Sequence, residues 1–481
     1  MYILPLMVVA TVSSLFYYSF FTLSKRINCK NYGMSSVIVS LYFFFYGVLY
    51  NYFPFFSFGH RLFLPISIFF LIGILFLINK VSKESLPYKL VLTFLLSINL
   101  LSLFLIASKV ILNVSSNNKT NRSVNSVTNH VTPNFYYIVL DGYASNSSLK
   151  KYLNFDNSNF IHELNKIGFK VQDSATSNYS RTIFSLTSTL NLNYIQNFIK
   201  PKFNQTKLNV YLADNYVSHY LKSIGYNYYL FDSGFGLKDT YDKNHILITT
   251  NKYNFLNKVI SSSDNDVFNL LINNSILVVL NTNFFSKFTI NMYASKILNV
   301  YNRLPQIARF KEKKFVFAHI ISPHPPFIFD RTGNIVFNGK YDPSYRGNFN
   351  WSPSSYIEQL KFINIKTIKV LKEIIENDKN MKVIIVQGDH GSRTQEETFI
   401  LDNDQNWVQE HFSILNAVYI SNEGSSKNKI YQNWDQSSVN TFRILFNEYF
   451  ESDFQILKNR KYFSDLKGNY ELTSSQKIGL I

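Results

Sequence analysis

The first 112 residues contain four apolar stretches: Met1–Leu23, Ser35–Phe56, Leu62–Asn79 and Leu90–Leu112. Each is near the ~20 residues that a helix needs to cross a bilayer. Core helices of a soluble domain would carry a polar face, and four in a row with almost no charge do not. The charges fall in the gaps. Lys25, Arg26 and Lys30 follow the first stretch, Lys80, Lys83 and Lys89 follow the third, and Arg61 alone separates the second from the third. The positive-inside rule then puts the first and third gaps in the cytoplasm and everything after Leu112 outside. Tyr50, Tyr52, Phe53, Phe55 and Phe56 suit the aromatic belt at the outer interface. The first stretch has neither a basic n-region nor a small-residue cleavage site, so it reads as a retained helix.

Residues 113–134 are polar and rich in Ser, Asn and Thr, as in a tether between a membrane block and a folded domain. Such a tether helps explain a mean hydropathy of only −0.04 beside 46% hydrophobic residues. The single cysteine, Cys29, excludes an internal disulfide framework and a cysteine-rich zinc site. A net charge of +17 suits anionic lipid or a phosphate-bearing substrate. It comes without a Lys/Arg-rich run, zinc-finger spacing or RNA-binding motif, which argues against nucleic acid as a partner.

Residues 135–481 alternate strand and helix patterns. Phe135–Leu140 ("FYYIVL") is a buried-strand run. A helix follows with Phe160, Ile161, Leu164 and Ile167 on one face and Gly168 as its cap. Leu208–Ile224 predicts a helix ending at Gly225, then the strand "YNYYLF"; Lys314–Ile321 predicts another strand. A long helix over Ser354–Asn377, with a stripe of Ile357, Leu360, Ile363, Ile368, Leu371 and Ile375, leads into "KVIIVQ". "FSILNAVYI" and a helix bearing Val439, Phe442, Phe446 and Tyr449 complete the set. This alternation implies an α/β domain with a mostly parallel sheet covered by helices, its ligand site beyond the carboxyl ends of the strands.

The strand ends carry ligand-type side chains: Asp141, His319 and His324, and the pair Asp389-His390. Alone, each reads as a turn or cap. Together at one sheet edge, they point to a metal site of oxygen and nitrogen ligands, with Asp141, Asp389 and His390 as three of them. A transfer or hydrolytic site also needs an oxygen nucleophile that a metal activates. The segment Ser177–Ile195 offers Ser180, Thr182, Ser185, Thr187, Ser188 and Thr189 at the start of an apolar helix, where backbone N–H groups favour an anion.

Strand-Asp-Gly, "SRTIFSL", "HIISPHPPF" and "GDHG", in this order, resemble the alkaline phosphatase superfamily, in particular its sulfatase-like, membrane-anchored branch of lipoteichoic acid synthases and phosphoethanolamine transferases. The resemblance spans residues 134–450 in motif order; the apolar N-terminal block matches in architecture only. It implies an alkaline-phosphatase-like fold, Thr182 as nucleophile, Asp141, Asp389 and His390 as metal ligands, and His319 and His324 on the substrate side. It also implies placement in a bacterial cytoplasmic (inner) membrane with the catalytic domain outside. The sequence departs from the group in several ways. Asp141 stands where the transferases usually carry Glu. The Cys/Ser-x-Pro-x-Arg motif of true sulfatases is absent, as are the disulfides common in phosphoethanolamine transferases. His411 is the counterpart considered for a third histidine.

The expected activity is transfer of a phospholipid-derived headgroup, of phosphoethanolamine or phosphoglycerol type, onto an envelope glycan or lipid. In this scheme Asp141, Thr182, Asp389 and His390 hold one divalent ion, zinc or manganese, with a second metal as the alternative. His319 and His324 contact the transferring phosphate, and Arg181 or Arg393 pair with its oxygens. With water as acceptor the same site is a phosphodiesterase or phosphatase; a catalytically silent envelope protein of the same fold is the alternative from another class. A transporter is disfavoured, because none of the apolar spans carries an acidic residue.

Overall fold

The structure is a computed structural model that describes residues 17–26, 31–52, 60–81, 132–199, 205–233, 246–248, 275–276, 279, 286–336, 352–392, 405–421, 425–434, 437–464 and 472–474. The fourth apolar stretch, most of the polar tether and Arg393 lie outside them. The helices are α1 (residues 17–26), α2 (Tyr32–Tyr52), α3 (His60–Val81), α4 (Asn146–Leu153), α5 (Ser158–Lys166), α6 (Thr182–Leu190) and α7 (Gln205–Ala213). They continue with α8 (Tyr216–Ser223), α9 (Ser286–Ala308), α10 (Pro353–Asn377), α11 (Gln405–Phe412), α12 (Ser425–Asn433) and α13 (Thr441–Phe450). The strands are β1 (Asn134–Leu140), β2 (Lys170–Val171), β3 (Asn227–Phe231), β4 (Ile246–Ile248), β5 (Lys314–Ile320), β6 (Lys382–Gly388), β7 (Asn416–Ile420), β8 (Tyr462–Ser464) and β9 (Leu472–Ser474).

The chain divides into two compact units. One comprises Met1–Arg122, Tyr253–Thr289 and Asn338–Arg346; the other comprises Ser123–Lys252, Ile290–Phe337 and Gly347–Ile481. In the first, α2 and α3 pack antiparallel: Asn31 Nδ2 donates to Ile78 O at 2.9 Å, Tyr42 Oη lies 2.7 Å from Ser67 Oγ, and the Tyr46 and Phe63 rings meet at 5.6 Å. The backbone of Ile276 donates to Phe43 O at 2.7 Å. The other side of α3 displays large apolar side chains, with Phe69 75% and Phe76 66% exposed. Among the described residues, no helix is long and apolar enough to cross a membrane.

The second unit is α/β. Seven strands form one sheet in the order β2-β7-β6-β1-β5-β3-β4, parallel throughout except for β7, which runs antiparallel to both of its neighbours. β1, β5 and β6 are buried along their whole lengths, which explains why their sequences read as continuous apolar runs rather than alternating ones. Successive side chains of β1 still point to opposite faces. Phe135, Tyr137 and Val139 join a core with Phe184 and Leu186 of α6 and Phe442 and Phe446 of α13. Tyr137 stacks on Phe317 at 5.6 Å and meets the edge of Phe442 at 5.3 Å.

Two expected helices differ in detail. The run Leu208–Ile224 is two helices, because Asn215 breaks it: its side chain accepts from Ser218 N at 2.9 Å and caps α8. α10 has almost the expected bounds, but its buried face is rotated, with Tyr356, Gln359, Leu360, Ile363, Thr367, Leu371 and Ile374 inward. Ile357, Ile368 and Ile375 are only half-buried. Two polar residues on this face are fixed by specific partners, Thr367 by the Tyr301 hydroxyl at 3.1 Å and Gln359 by backbone, so an apolar-only stripe points slightly off the true face.

At the amino ends of the central strands, Asp378 acts as a buried hub. Its Oδ2 accepts from Asn134 Nδ2 at 2.8 Å and Tyr136 Oη at 2.6 Å and faces Lys314 Nζ at 3.5 Å, while Oδ1 accepts from Asn380 N at 3.0 Å. Burial pushes the Lys314 ammonium below its usual range, and the Asp378 charge holds it back only in part. Removing one partner of such a pair strands the other charge in the interior. Asp378→Ala is therefore expected to cost about 3–5 kcal/mol, read as a lower midpoint in chemical denaturation, with Asp378→Asn losing less.

Candidate metal centre

Parallel register brings the functional side chains together. Leu140 of β1 is level with Ile320 of β5 and Gly388 of β6, so the residues that follow these three strands emerge side by side. Asp141 comes from the first, His319 and His324 from the second, and Asp389 and His390 from the third. Asp141, His319, Asp389 and His390 are each at most 2% exposed, and His324 is half-buried.

The cluster forms two triads that share Asp141: Asp141 with His324 and His390, and Asp141 with His319 and Asp389. In each, the ligand atoms lie within 4.8 Å of one another. Asp141 Oδ2 is 3.1 Å from His319 Nε2, and Asp141 Oδ1 is 3.3 Å from His390 Nε2. Ligands at zinc distance around a tetrahedral ion sit ~3.4 Å apart, so these spacings fit chelation as well as ion pairing. The atoms themselves separate the two: Asp141 Oδ1, Asp389 Oδ2 and His390 Nε2 are buried with no hydrogen-bond partner among the described residues. His390 Nε2 stands 3.5 Å from Asp389 Oδ2, close but outside hydrogen-bond geometry. Buried polar atoms are otherwise almost always satisfied, and three unsatisfied ones within these two triads fit a cation.

The tautomers fit as well. His390 Nδ1 is 2.8 Å from Gly391 O and His324 Nδ1 is 2.6 Å from Pro325 O. A carbonyl oxygen only accepts, so in the neutral rings Nδ1 carries the hydrogen and Nε2 keeps its lone pair, as in a metal-binding histidine. Burial alone would raise the Asp141 carboxyl. Where His324 is protonated, its charge and the contacts from His319 and His390 outweigh it and hold the group well below the usual carboxylate range.

Glycines surround the cluster for two different reasons. Gly142 adopts φ +69°, which glycine reaches without strain, and its N–H donates to Asp389 Oδ1 at 2.9 Å. Gly388 and Gly391 serve close packing rather than a sharp turn. A Cβ on Gly388 would lie 2.3 Å from Tyr143 O, and one on Gly391 1.8 Å from Glu410 O. Gly391 N donates to His411 O at 2.9 Å and Ser392 Oγ to Glu410 Oε1 at 2.8 Å, so the end of α11 clamps the ligand turn. His411 is buried there, with its backbone against the turn, and belongs to neither triad.

Thr182 is buried as the first residue of α6, after Arg181 at the N-cap. No hydrogen bond joins Thr182 to the cluster among the described residues. The approach to it runs beside the clamp, since Ser177 N donates to Phe412 O at 2.8 Å. Arg181 is half-buried, and Arg393 is outside the described residues.

Other residues join the site unannounced by motif. Ser233 Oγ reaches His319 Nδ1 at 3.5 Å, and neighbouring Asp232 faces the buried Lys296 Nζ at 4.0 Å. Both Asp232 and Ser233 follow β3, so the strand-end rule applied to "YNYYLF" finds them. Gln359 accepts from Ile328 N at 2.8 Å and donates to His324 O at 3.3 Å, steadying the loop that carries His324. Its only sequence signal is an amide on a buried helix face.

No protein-family model matches the chain, and no curated protein matches it in sequence. Its structure is similar to solved structures of the group that its motifs resemble. The periplasmic domain of EcEptC from Escherichia coli in complex with Zn aligns at 13% identity and TM-score 0.44 over 74% of this chain and 97% of that one. The integral membrane lipooligosaccharide phosphoethanolamine transferase A from Neisseria meningitidis aligns at 12% identity and TM-score 0.40, over 80% and 69% respectively. An alkaline phosphatase superfamily protein from Vibrio parahaemolyticus aligns at 9% and TM-score 0.41, over 72% and 79%. These likenesses are distant, and the chemistry of the site rests on its own geometry.

The clamp yields a prediction. Gly391→Ala is expected to push the Asp389-His390 turn away from Glu410 and to weaken metal binding at least tenfold, read by metal titration of the purified protein. Ser392→Ala, which removes one side-chain hydrogen bond, should weaken it far less.

Proposed function

We propose that the chain is a membrane-bound, metal-dependent phosphotransferase that moves a phospholipid-derived headgroup onto an envelope glycan or lipid. One observation carries the reading: Asp141 Oδ1, Asp389 Oδ2 and His390 Nε2 are buried without hydrogen-bond partners among the described residues, in two ligand triads that share Asp141 at the carboxyl edge of a parallel sheet. On this reading residues 1–112 form the membrane block, 113–134 the tether and 135–481 the outward-facing catalytic domain. The charge distribution of the sequence and the exposed apolar side chains of α3 support that arrangement. Outside the membrane there is no nucleotide pool, so the lipid itself serves as donor.

Asp141, Asp389 and His390, with His319 and His324 beside them, would hold the divalent ion, zinc or manganese. When bound, such an ion lowers the pKa of an oxygen nucleophile and offsets charge on phosphoryl oxygens. Thr182 Oγ1 attacks the phosphodiester in line, its proton passes to His319 or His324, and that histidine protonates the lipid alcohol as it leaves. An acceptor hydroxyl then attacks the phospho-threonine, and its proton ends on Thr182 Oγ1, which restores the threonine. The N-terminus of α6 favours the anion at this position. Arg181 and Arg393 pair with phosphate oxygens.

Two experiments test the scheme. Thr182→Ala should abolish turnover and leave metal content unchanged, whereas His390→Ala should lose the metal as well; full activity in Thr182→Ala would remove the nucleophile assignment. Incubation with a headgroup-labelled phospholipid and total envelope glycan and lipid should move label into an acceptor. Release of free headgroup phosphate alone would make the enzyme a hydrolase, and no release at all a silent envelope protein.

A further inference from the structure

His319 differs from the other two histidines of the cluster. His390 and His324 each point Nδ1 at a backbone carbonyl, at 2.8 and 2.6 Å. A carbonyl only accepts, so it keeps the hydrogen on Nδ1. His319 Nδ1 instead faces the Ser233 hydroxyl at 3.5 Å, a long contact to a group that both donates and accepts. Such a contact selects neither tautomer. We propose that His319 is a tautomer switch in the metal centre, with Ser233 as the positioning residue that serves both of its states.

The other ring nitrogen defines the states. His319 Nε2 lies 3.1 Å from Asp141 Oδ2. An ionised carboxylate only accepts, so in a neutral ring this hydrogen bond places the hydrogen on Nε2. Nδ1 then has a lone pair and accepts from the Ser233 hydroxyl. A cation held by Asp141, His319 and Asp389 makes the opposite demand, because a metal-binding nitrogen offers its lone pair. The hydrogen then leaves Nε2, and Nδ1 gains one and donates it to Ser233 Oγ. One proton leaves and one arrives, so the ring stays neutral throughout. A carbonyl in place of Ser233 would disfavour the first state, and a methyl group would give Nδ1 no partner in the second.

Ser233 is built to stay in place while its hydroxyl turns. It is only 6% exposed and follows β3, the strand beside β5. The preceding residue, Asp232, is held by backbone and by side chain. Its N–H donates to Ile248 O at 3.0 Å, and its carboxylate faces the buried Lys296 Nζ at 4.0 Å. The inference rests on the metal centre of the proposed transferase and deepens it. With His319 Nε2 on the cation, His324 is the ring left to take the Thr182 proton.

The test is solid-state nitrogen-15 NMR of the full chain, labelled in its histidine rings, before and after zinc is added. The spectra are taken at about pH 8, above the ordinary histidine pKa of ~6.5, and a His319→Gln sample identifies the His319 signals. His319 is expected to carry its hydrogen on Nε2 without zinc and on Nδ1 with it, while His324 and His390 keep theirs on Nδ1. Zinc titration should show Ser233→Ala binding about tenfold more weakly, with most of the loss restored in Ser233→Thr. One His319 tautomer in both samples, or a doubly protonated ring before zinc, would overturn the switch. Unchanged zinc affinity in Ser233→Ala would overturn the role of Ser233. Zinc binding with the switch but without headgroup transfer would leave this inference and remove the transferase. A parent chain that binds no zinc would remove both.

Discussion

Everything at the carboxyl edge of the sheet depends on Asp141, a carboxylate shut away from water at the centre of the sheet. Taking such a charge out of solvent is costly unless partners compensate. Here His319 approaches one oxygen and His390 the other. Each partner comes from a flanking strand, so the site exists only while β5, β1 and β6 stay in register. A slip of one residue would turn the neighbouring side chain to the opposite face and remove a ligand.

The domain keeps its two polar clusters at opposite ends of the same strands. Asp378 ties down the amino ends with its charge fully partnered, whereas the Asp141 cluster leaves ligand atoms unsatisfied at the carboxyl ends. The first arrangement stabilises; the second keeps coordination capacity for a cation. That contrast distinguishes a structural carboxylate from a functional one more sharply than burial does, since both groups are almost wholly buried.

Much of this was legible in the sequence because a doubly covered parallel sheet writes itself as apolar runs with a fixed exit. β1, β5, β6 and β7 lie where the runs predict, and the strand-end rule finds Asp141, His319, His324, Asp389 and His390 without any contact information. Other features were illegible for physical reasons. Gly388 and Gly391 look like turn residues, but their role is the space a Cβ would need, and that space is set by Tyr143 and Glu410, far away in the chain. Gln359 and Thr367 are polar residues on an inward helix face, and only their partners reveal why. The break at Asn215 depends on a cap that an apolar periodicity count does not register. The identity of the nucleophile rests on motif resemblance, because six hydroxyl residues between Ser180 and Thr189 satisfy the same local pattern.

The parallel pairing of β1 with β5 and β6 has a consequence for when the Asp141 cluster forms. Asp141 and His319 are 178 positions apart, and Gly142 and Asp389, which close the cluster, are 247 apart. Contacts this distant in sequence form late, after the loop-closure cost of the intervening chain has been met. A nascent chain that has released β1 and β5 holds only part of the cluster and has little to grip a cation. A cation held by the completed cluster would bind the folded chain alone and so would stabilise the pairing of β5, β1 and β6.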